Sequence, residues 1–187
     1  PLPKKQINSK SAVLFSFLLG VIGLDLLSLI KPHGSFYGYL SKSSAFGLLS
    51  LMIYVLSYTP LKRMSTVSIF VGAIPGAIPV MLGWVAATNQ FGLAVGILFA
   101  IQFLWQFPHF ISIAWIRDDE YKKAGFKMMY GGKKGAYPAY ISFICAILMT
   151  LVSILPFFID LKILSLSIFG FIIILSLGLW FVSNCYN

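Results

Sequence analysis

Phe91-Gly-Leu-Ala-Val-Gly-Ile-Leu-Phe-Ala-Ile-Gln-Phe-Leu-Trp-Gln-Phe-Pro-His-Phe-Ile-Ser-Ile-Ala-Trp-Ile116 carries no charged side chain, and Arg117-Asp-Asp-Glu120 follows at once. About twenty apolar residues in a helix cross the hydrocarbon core of a bilayer, so this stretch reads as a membrane span that stops where charge begins. Similar runs predict helices near residues 11–30, 36–58, 67–87, 91–116, 138–158 and 162–184. The composition agrees: 59% hydrophobic residues, a mean hydropathy of +0.90 and only 10% charged residues do not suit a water-soluble globule. The expected fold is all-α, a polytopic transmembrane helical bundle.

Working outward, the loops between these runs hold the charges. With six crossings, the start, the Thr59–Ser65 loop, the Arg117–Tyr137 loop and the end share one face. That face carries Lys4, Lys5, Lys10, Lys62, Arg63, Arg117, Lys122, Lys123, Lys127, Lys133 and Lys134, against Lys31, Lys42 and Lys162 on the other. Eleven against three is a positive-inside bias that assigns the first face to the cytoplasm. The net charge of +9 therefore reads as loops on an anionic leaflet, with no nucleic acid implied. Cys145 and Cys185 lie in no CxxC or CxxCH pattern, so they read as packing residues. The chain opens on Pro1-Leu-Pro-Lys-Lys5 with no initiator methionine and no secretory signal, and is read as a fragment cut at its start.

The third span contains Gly72-Ala-Ile-Pro-Gly-Ala-Ile-Pro79 and Gly83-Trp84. Two prolines four apart free backbone carbonyls that lipid cannot satisfy, while the glycines allow neighbours to approach. Such a helix is either kinked for packing or forms a cavity wall.

Three features on the cytoplasmic side are candidates for chemistry. Tyr58-Thr-Pro-Leu-Lys-Arg63 sets two cations beside a tyrosine, a pairing suited to a diphosphate, although Lys-Arg at a helix end more commonly anchors topology. Asp118, Asp119 and Glu120, three of the five acidic residues, suit Mg²⁺ completed by substrate phosphates; the rival reading is a solvated helix end neutralised by Arg117, Lys122 and Lys123. Gln102, Gln106 and His109 follow i, i+4, i+7 spacing, giving a polar stripe that must face protein or water. His33 reads as a loop residue, and Asp25, near the outer end of the first span, as snorkelling toward water.

These segments resemble the haem O synthase branch of the UbiA-type intramembrane prenyltransferases. The resemblance runs through Pro1-Leu-Pro, Tyr58-Thr-Pro-Leu-Lys-Arg63, the Gly-Ala-Ile-Pro repeat with Gly83-Trp84, Leu104-Trp-Gln-Phe-Pro-His-Phe110, Ala114-Trp115, and Tyr121 with Ala124-Gly-Phe126. Tyrosine followed by Leu-Lys-Arg is shared widely across the superfamily, whereas Trp-Gln-Phe-Pro-His-Phe is much more specific and, together with the Gly-Ala-Ile-Pro repeat, points to the haem-modifying branch. The resemblance implies nine helices around a cytoplasm-facing cavity. Two of them, with a first acidic motif, would precede Pro1, and one would follow Asn187. Residues 1–187 would then be a single transmembrane domain, incomplete at both ends, holding helices three to eight and inactive alone. The second acidic motif departs from the superfamily's Asp-x-x-x-Asp, since Lys122 stands four residues after Asp118; Asp119 and Glu120 are therefore preferred over Asp118 on the metal side.

The implied reaction is transfer of a farnesyl group from farnesyl diphosphate to a vinyl carbon of haem B, yielding haem O, in the cytoplasmic (inner) membrane of a bacterium. Lys62, Arg63, Asp119 and Glu120 would be catalytic, with Mg²⁺ on Asp118, Asp119 and Glu120. Tyr58, Trp105, Gln106, His109, Arg117 and Tyr121 would bind substrates, and His109 would meet the haem as an axial ligand or through a propionate. Haem A synthase is the implied partner downstream. Rival readings are the same chemistry on a quinone precursor, and a transporter half, which would place its polar groups at the bilayer midplane.

Overall fold

The computed structural model describes residues 6–30, 41–129, 132–159, 161 and 164–186. Pro1-Leu-Pro, Lys4, Lys5, Lys31, His33 and Lys162 lie outside the described residues. The helices are α1 (Ser9–Leu29), α2 (Lys42–Met52), a π-helical turn (Ile53–Tyr58), α3 (Thr59–Met64), α4 (Ser68–Thr88), α5 (Leu93–Ile116), α6 (Asp118–Lys123), α7 (Ala136–Phe158) and α8 (Ile168–Tyr186). With α2, the π-turn and α3 taken as one crossing, six helices among the described residues are long and apolar enough to span a membrane.

The second crossing runs to Met64 rather than ending at residue 58. Pro60 cannot donate an intrahelical bond, and the chain absorbs it by widening the preceding turn. The Thr59 N–H reaches back five residues to the Tyr54 carbonyl, which also accepts from Thr59 Oγ1 at 2.8 Å. Pro60 then falls in the first turn of α3, where a missing N–H costs nothing. Lys62 and Arg63 consequently occupy the last turn of a helix instead of a loop, next to the exposed carbonyls that favour cations.

Consecutive crossings pack side by side: α1 on α2, the second crossing on α4, α4 on α5, α5 on α7, and α7 on α8. No hydrophobic effect draws helices together inside lipid, so close packing depends on small residues and interhelical hydrogen bonds. In α4, Gly72, Ala73, Pro75 and Ala77 are buried. The glycines admit side chains rather than backbones: a Cβ on Gly72 would meet the Tyr58 ring at 2.7 Å, and one on Gly76 would collide with the Gln106 amide. Gly83 faces open space. Pro79 frees the Pro75 carbonyl, and Ser50 Oγ donates to it at 3.2 Å. A neighbouring helix thus answers the proline, which favours packing over a cavity wall at that point.

The hydrophobic cluster lies toward one end of the bundle. Ile69, Ala73, Phe107, Ala114, Met128 and Met129 are buried there, with Tyr58, Phe103, Phe110, Tyr121 and Phe126 packed on them. At the opposite end Lys42 Nζ donates to the Asn89 carbonyl at 3.0 Å. By contrast α1 buries no residue, and Asp25 on it is exposed.

Candidate functional site

The polypeptide from Arg117 to Met129 folds back onto the end of the second crossing. Helix α6 opens with Asp118, Asp119 and Glu120 in its first turn and closes with Lys122 and Lys123, each sign placed where the helix dipole stabilises it. It ends in a Schellman motif, with the Gly125 N–H on the Lys122 carbonyl (3.0 Å) and the Phe126 N–H on the Tyr121 carbonyl (2.8 Å). Gly125 supplies the required positive φ of 72°, and the Phe126 ring meets the Tyr121 ring edge-on at 6.1 Å, the apolar contact that usually accompanies this cap. Released in that direction, the chain docks: the Lys127 N–H donates to the Lys62 carbonyl at 2.7 Å. The loop after the fourth crossing and the cationic end of the second therefore lie at one membrane surface.

The cationic pair surrounds an aromatic ring. Lys62 Nζ stands 4.8 Å from the Phe126 centroid and 5.7 Å from that of Tyr58, and Arg63 Cζ is 5.9 Å from Phe126. Among the described residues, neither Lys62 nor Arg63 forms an ion pair. Two of the three carboxylates are paired within their own segment. Arg117 Nη1 holds Glu120 Oε2 and Lys122 Nζ holds Asp118 Oδ2, both at 2.8 Å. The hydrogen bond and charge of Glu120 raise the Arg117 pKa, and those of Asp118 raise that of Lys122. This is the local neutralisation that the sequence left open as the rival reading. Asp118 is buried, whereas Asp119 and Glu120 are exposed.

A cavity of about 460 Å³ lies beneath this loop, bounded by Met64 to Thr66, Asp118, Tyr121, Lys122, Phe126 and Lys127 among others. Asp118 and Tyr121 therefore border a space next to the cationic helix end, although among the described residues no carboxylate forms an ion pair with Lys62 or Arg63. The carboxylates are hard oxygen donors of the type Mg²⁺ takes one or two at a time, with phosphate oxygens and water completing the shell. Among the described residues no three His, Cys, Asp or Glu side chains converge, so the set fits Mg²⁺ only in that shared mode.

The polar stripe of α5 is divided between two environments. Gln106 is buried, its Nε2 donating to the carbonyls of Ala73 (2.9 Å) and Gln102 (3.2 Å). His109, about 60° around the helix, is exposed and stacks on Trp105 at 4.6 Å with 16° between planes. Both rings line a separate cavity of about 730 Å³ that α5 shares with α7 and α8, together with Ser112, Trp115, Ser142 and Asn184. Gln106 does not line it. Ser142 and Asn184 escaped the sequence reading because single polar residues in apolar spans carry no spacing signal. Phe126 entered only through a shared motif.

The UbiA prenyltransferase family profile matches residues 1–187. Protoheme IX farnesyltransferases from Flavobacterium psychrophilum and Flavobacterium johnsoniae are 43% and 41% identical to the chain over 180 residues. Each of these alignments covers 96% of this chain and 57% of the relative. The protein of that name from Cytophaga hutchinsonii is 45% identical over 129 residues, 69% of this chain and 42% of its own. The chain thus spans little more than half the length of the two Flavobacterium relatives. No solved structure matches it. Six apolar helices among the described residues, a Lys-Arg helix end tied to the segment that follows the acidic turn, and a family profile spanning residues 1–187 lead to one conclusion: the chain belongs to the UbiA prenyltransferase family.

Proposed function

We propose that this chain forms part of an enzyme that transfers a farnesyl group from farnesyl diphosphate to a vinyl group of haem B, giving haem O. The observation that carries the reading is the docking of Lys127 on Lys62, which sets uncompensated cations and a carboxylate-bearing helix at one surface beside a cavity. The acceptor follows from relatives named protoheme IX farnesyltransferase.

In this reading the allylic carbon–oxygen bond breaks, leaving a farnesyl cation and inorganic diphosphate. The terminal vinyl carbon attacks the cation, forming a carbon–carbon bond. Water adds to the positive charge then left beside the porphyrin and loses a proton, completing a hydroxyethylfarnesyl group. Lys62 and Arg63 bind the diphosphate and stabilise the charge it gains on leaving. UbiA prenyltransferases generally use Mg²⁺-bound diphosphates, and here Asp118, Asp119 and Glu120 would hold the ion, which offsets leaving-group charge. Tyr58 and Tyr121 border the diphosphate side, and Arg117 keeps Glu120 in place. Trp105 and His109 offer a flat stacked surface to a planar acceptor, while Gln106 serves by holding α5 against α4. Exclusion of water by the aromatic lining protects the cation until attack. The sidedness of the cations supports a bacterial inner membrane with these loops cytoplasmic, and haem A synthesis would consume the product.

The test is mass spectrometry of haem extracted from cells carrying the complete gene, with Lys62→Ala and Arg63→Ala beside the unaltered protein. Haem O formation should fall by about a hundredfold while the membrane level of protein is maintained. Undiminished haem O in both variants overturns the reading, and a prenylated quinone precursor in place of haem O reassigns the acceptor.

A further inference from the structure

We infer that Phe126 is a positioning residue for the diphosphate-binding cations, holding Lys62 and Arg63 in place without neutralising them. The inference rests on the phosphate role proposed above for those two residues. It begins from a mismatch of charge: Glu120 and Asp118 are paired with Arg117 and Lys122, and among the described residues no carboxylate forms an ion pair with Lys62 or Arg63. Long cationic side chains at a helix end otherwise sample many rotamers, and ordering them on ligand binding costs affinity. The restraint present is aromatic. Lys62 Nζ lies between the Phe126 and Tyr58 rings at 4.8 and 5.7 Å, and Arg63 approaches the same Phe126 ring.

A ring suits this task better than a carboxylate. The attraction of a cation to a π-face is electrostatic but leaves the full positive charge available to an anion, whereas an Asp or Glu partner would cancel it. The placement of Phe126 is built in by three contacts: the Gly125 turn that ends α6, the edge-on packing against Tyr121, and the Lys127 to Lys62 backbone bond in the next residue. The same cap fixes α6 and its carboxylates relative to the ring, so the two halves of the proposed diphosphate site share one support.

The experiment is steady-state kinetics of the complete enzyme with farnesyl diphosphate and haem B, with inorganic diphosphate as inhibitor. Phe126→Leu should raise the KM for farnesyl diphosphate by about tenfold and weaken inhibition by diphosphate in parallel, with kcat and the KM for haem B changed far less. Phe126→Tyr, which keeps the ring, should restore both constants. In a Lys62→Ala, Arg63→Ala background, Phe126→Leu should add nothing further. Unchanged KM in Phe126→Leu, equal losses in the leucine and tyrosine variants, or a full additive loss in the double-alanine background would each overturn the inference. A Lys62→Ala, Arg63→Ala enzyme with normal KM would instead overturn the phosphate reading beneath it. Phe126→Met provides a second non-aromatic variant should the leucine protein be poorly inserted, and the same rise in KM is expected.

Discussion

At Gly76 a hydrogen atom stands where a methyl group would displace the Gln106 amide. That amide is buried and donates to two carbonyls, one of them on the neighbouring helix, so it cannot move aside without leaving polar groups unpaired in an apolar medium. Gly76→Ala should lower stability by about 1–2 kcal/mol, and Gln106→Ala by a similar amount. The double variant should lose clearly less than the sum, because removal of the amide also removes the clash. Thermal unfolding of the purified protein in detergent checks this; strict additivity would mean the two residues do not share one contact. Sequence reading placed Gln106 with His109 because both are polar and similarly spaced. It could not tell that one meets the Ala73 carbonyl and the other a Trp ring, since that depends on which helix lies alongside.

The elements follow hydropathy closely, and they depart from it where a proline or a charge pattern is resolved locally. A proline near a predicted helix end reads as a stop, yet the second crossing continues through it by widening one turn and so carries Lys62 and Arg63 on a helix. At α6, the acidic first turn pairs with Arg117 just before it and with Lys122 in its last turn, three and four residues apart, a pattern legible in the sequence as one of two options. The pairing raises the Lys122 pKa. A raised lysine value means that its contribution is complete below the ordinary lysine range and is lost only as pH climbs through the raised one. Protection of residues 117–129 in hydrogen exchange, corrected for intrinsic rate, should therefore stay constant from about pH 6 to pH 9 and fall in more alkaline solution. Loss of protection within the neutral range would show that another group governs the segment.

For the whole molecule, alternation of six crossings puts Lys10, Lys62, Arg63, Arg117, Lys122, Lys123, Lys127, Lys133 and Lys134 at one surface and, among the described residues, Lys42 alone at the other. The Lys127 to Lys62 bond ties the segment after α6 directly to the end of α3. With Cys145 and Cys185 replaced by alanine, Arg63→Cys should react with a membrane-impermeant thiol reagent from one side of the membrane only, and Lys42→Cys only from the opposite side. Labelling of both from one side would contradict the topology.

Sequence alone determined the solvent and the number and order of the apolar helices, and its charge bias sets an expected sidedness, because length of apolar run and position of charge are one-dimensional quantities read directly by a bilayer. It also fixed the family, through runs such as Trp105-Gln-Phe-Pro-His-Phe110. Only the tertiary structure decided that Ser50 answers the carbonyl freed by Pro79, that Gln106 and His109 serve different surroundings, and that Phe126 sits among the cations. Each of these joins groups on separate helices or loops. Inside lipid, where burial of apolar area no longer discriminates between helix faces, fine packing and single hydrogen bonds choose the neighbours.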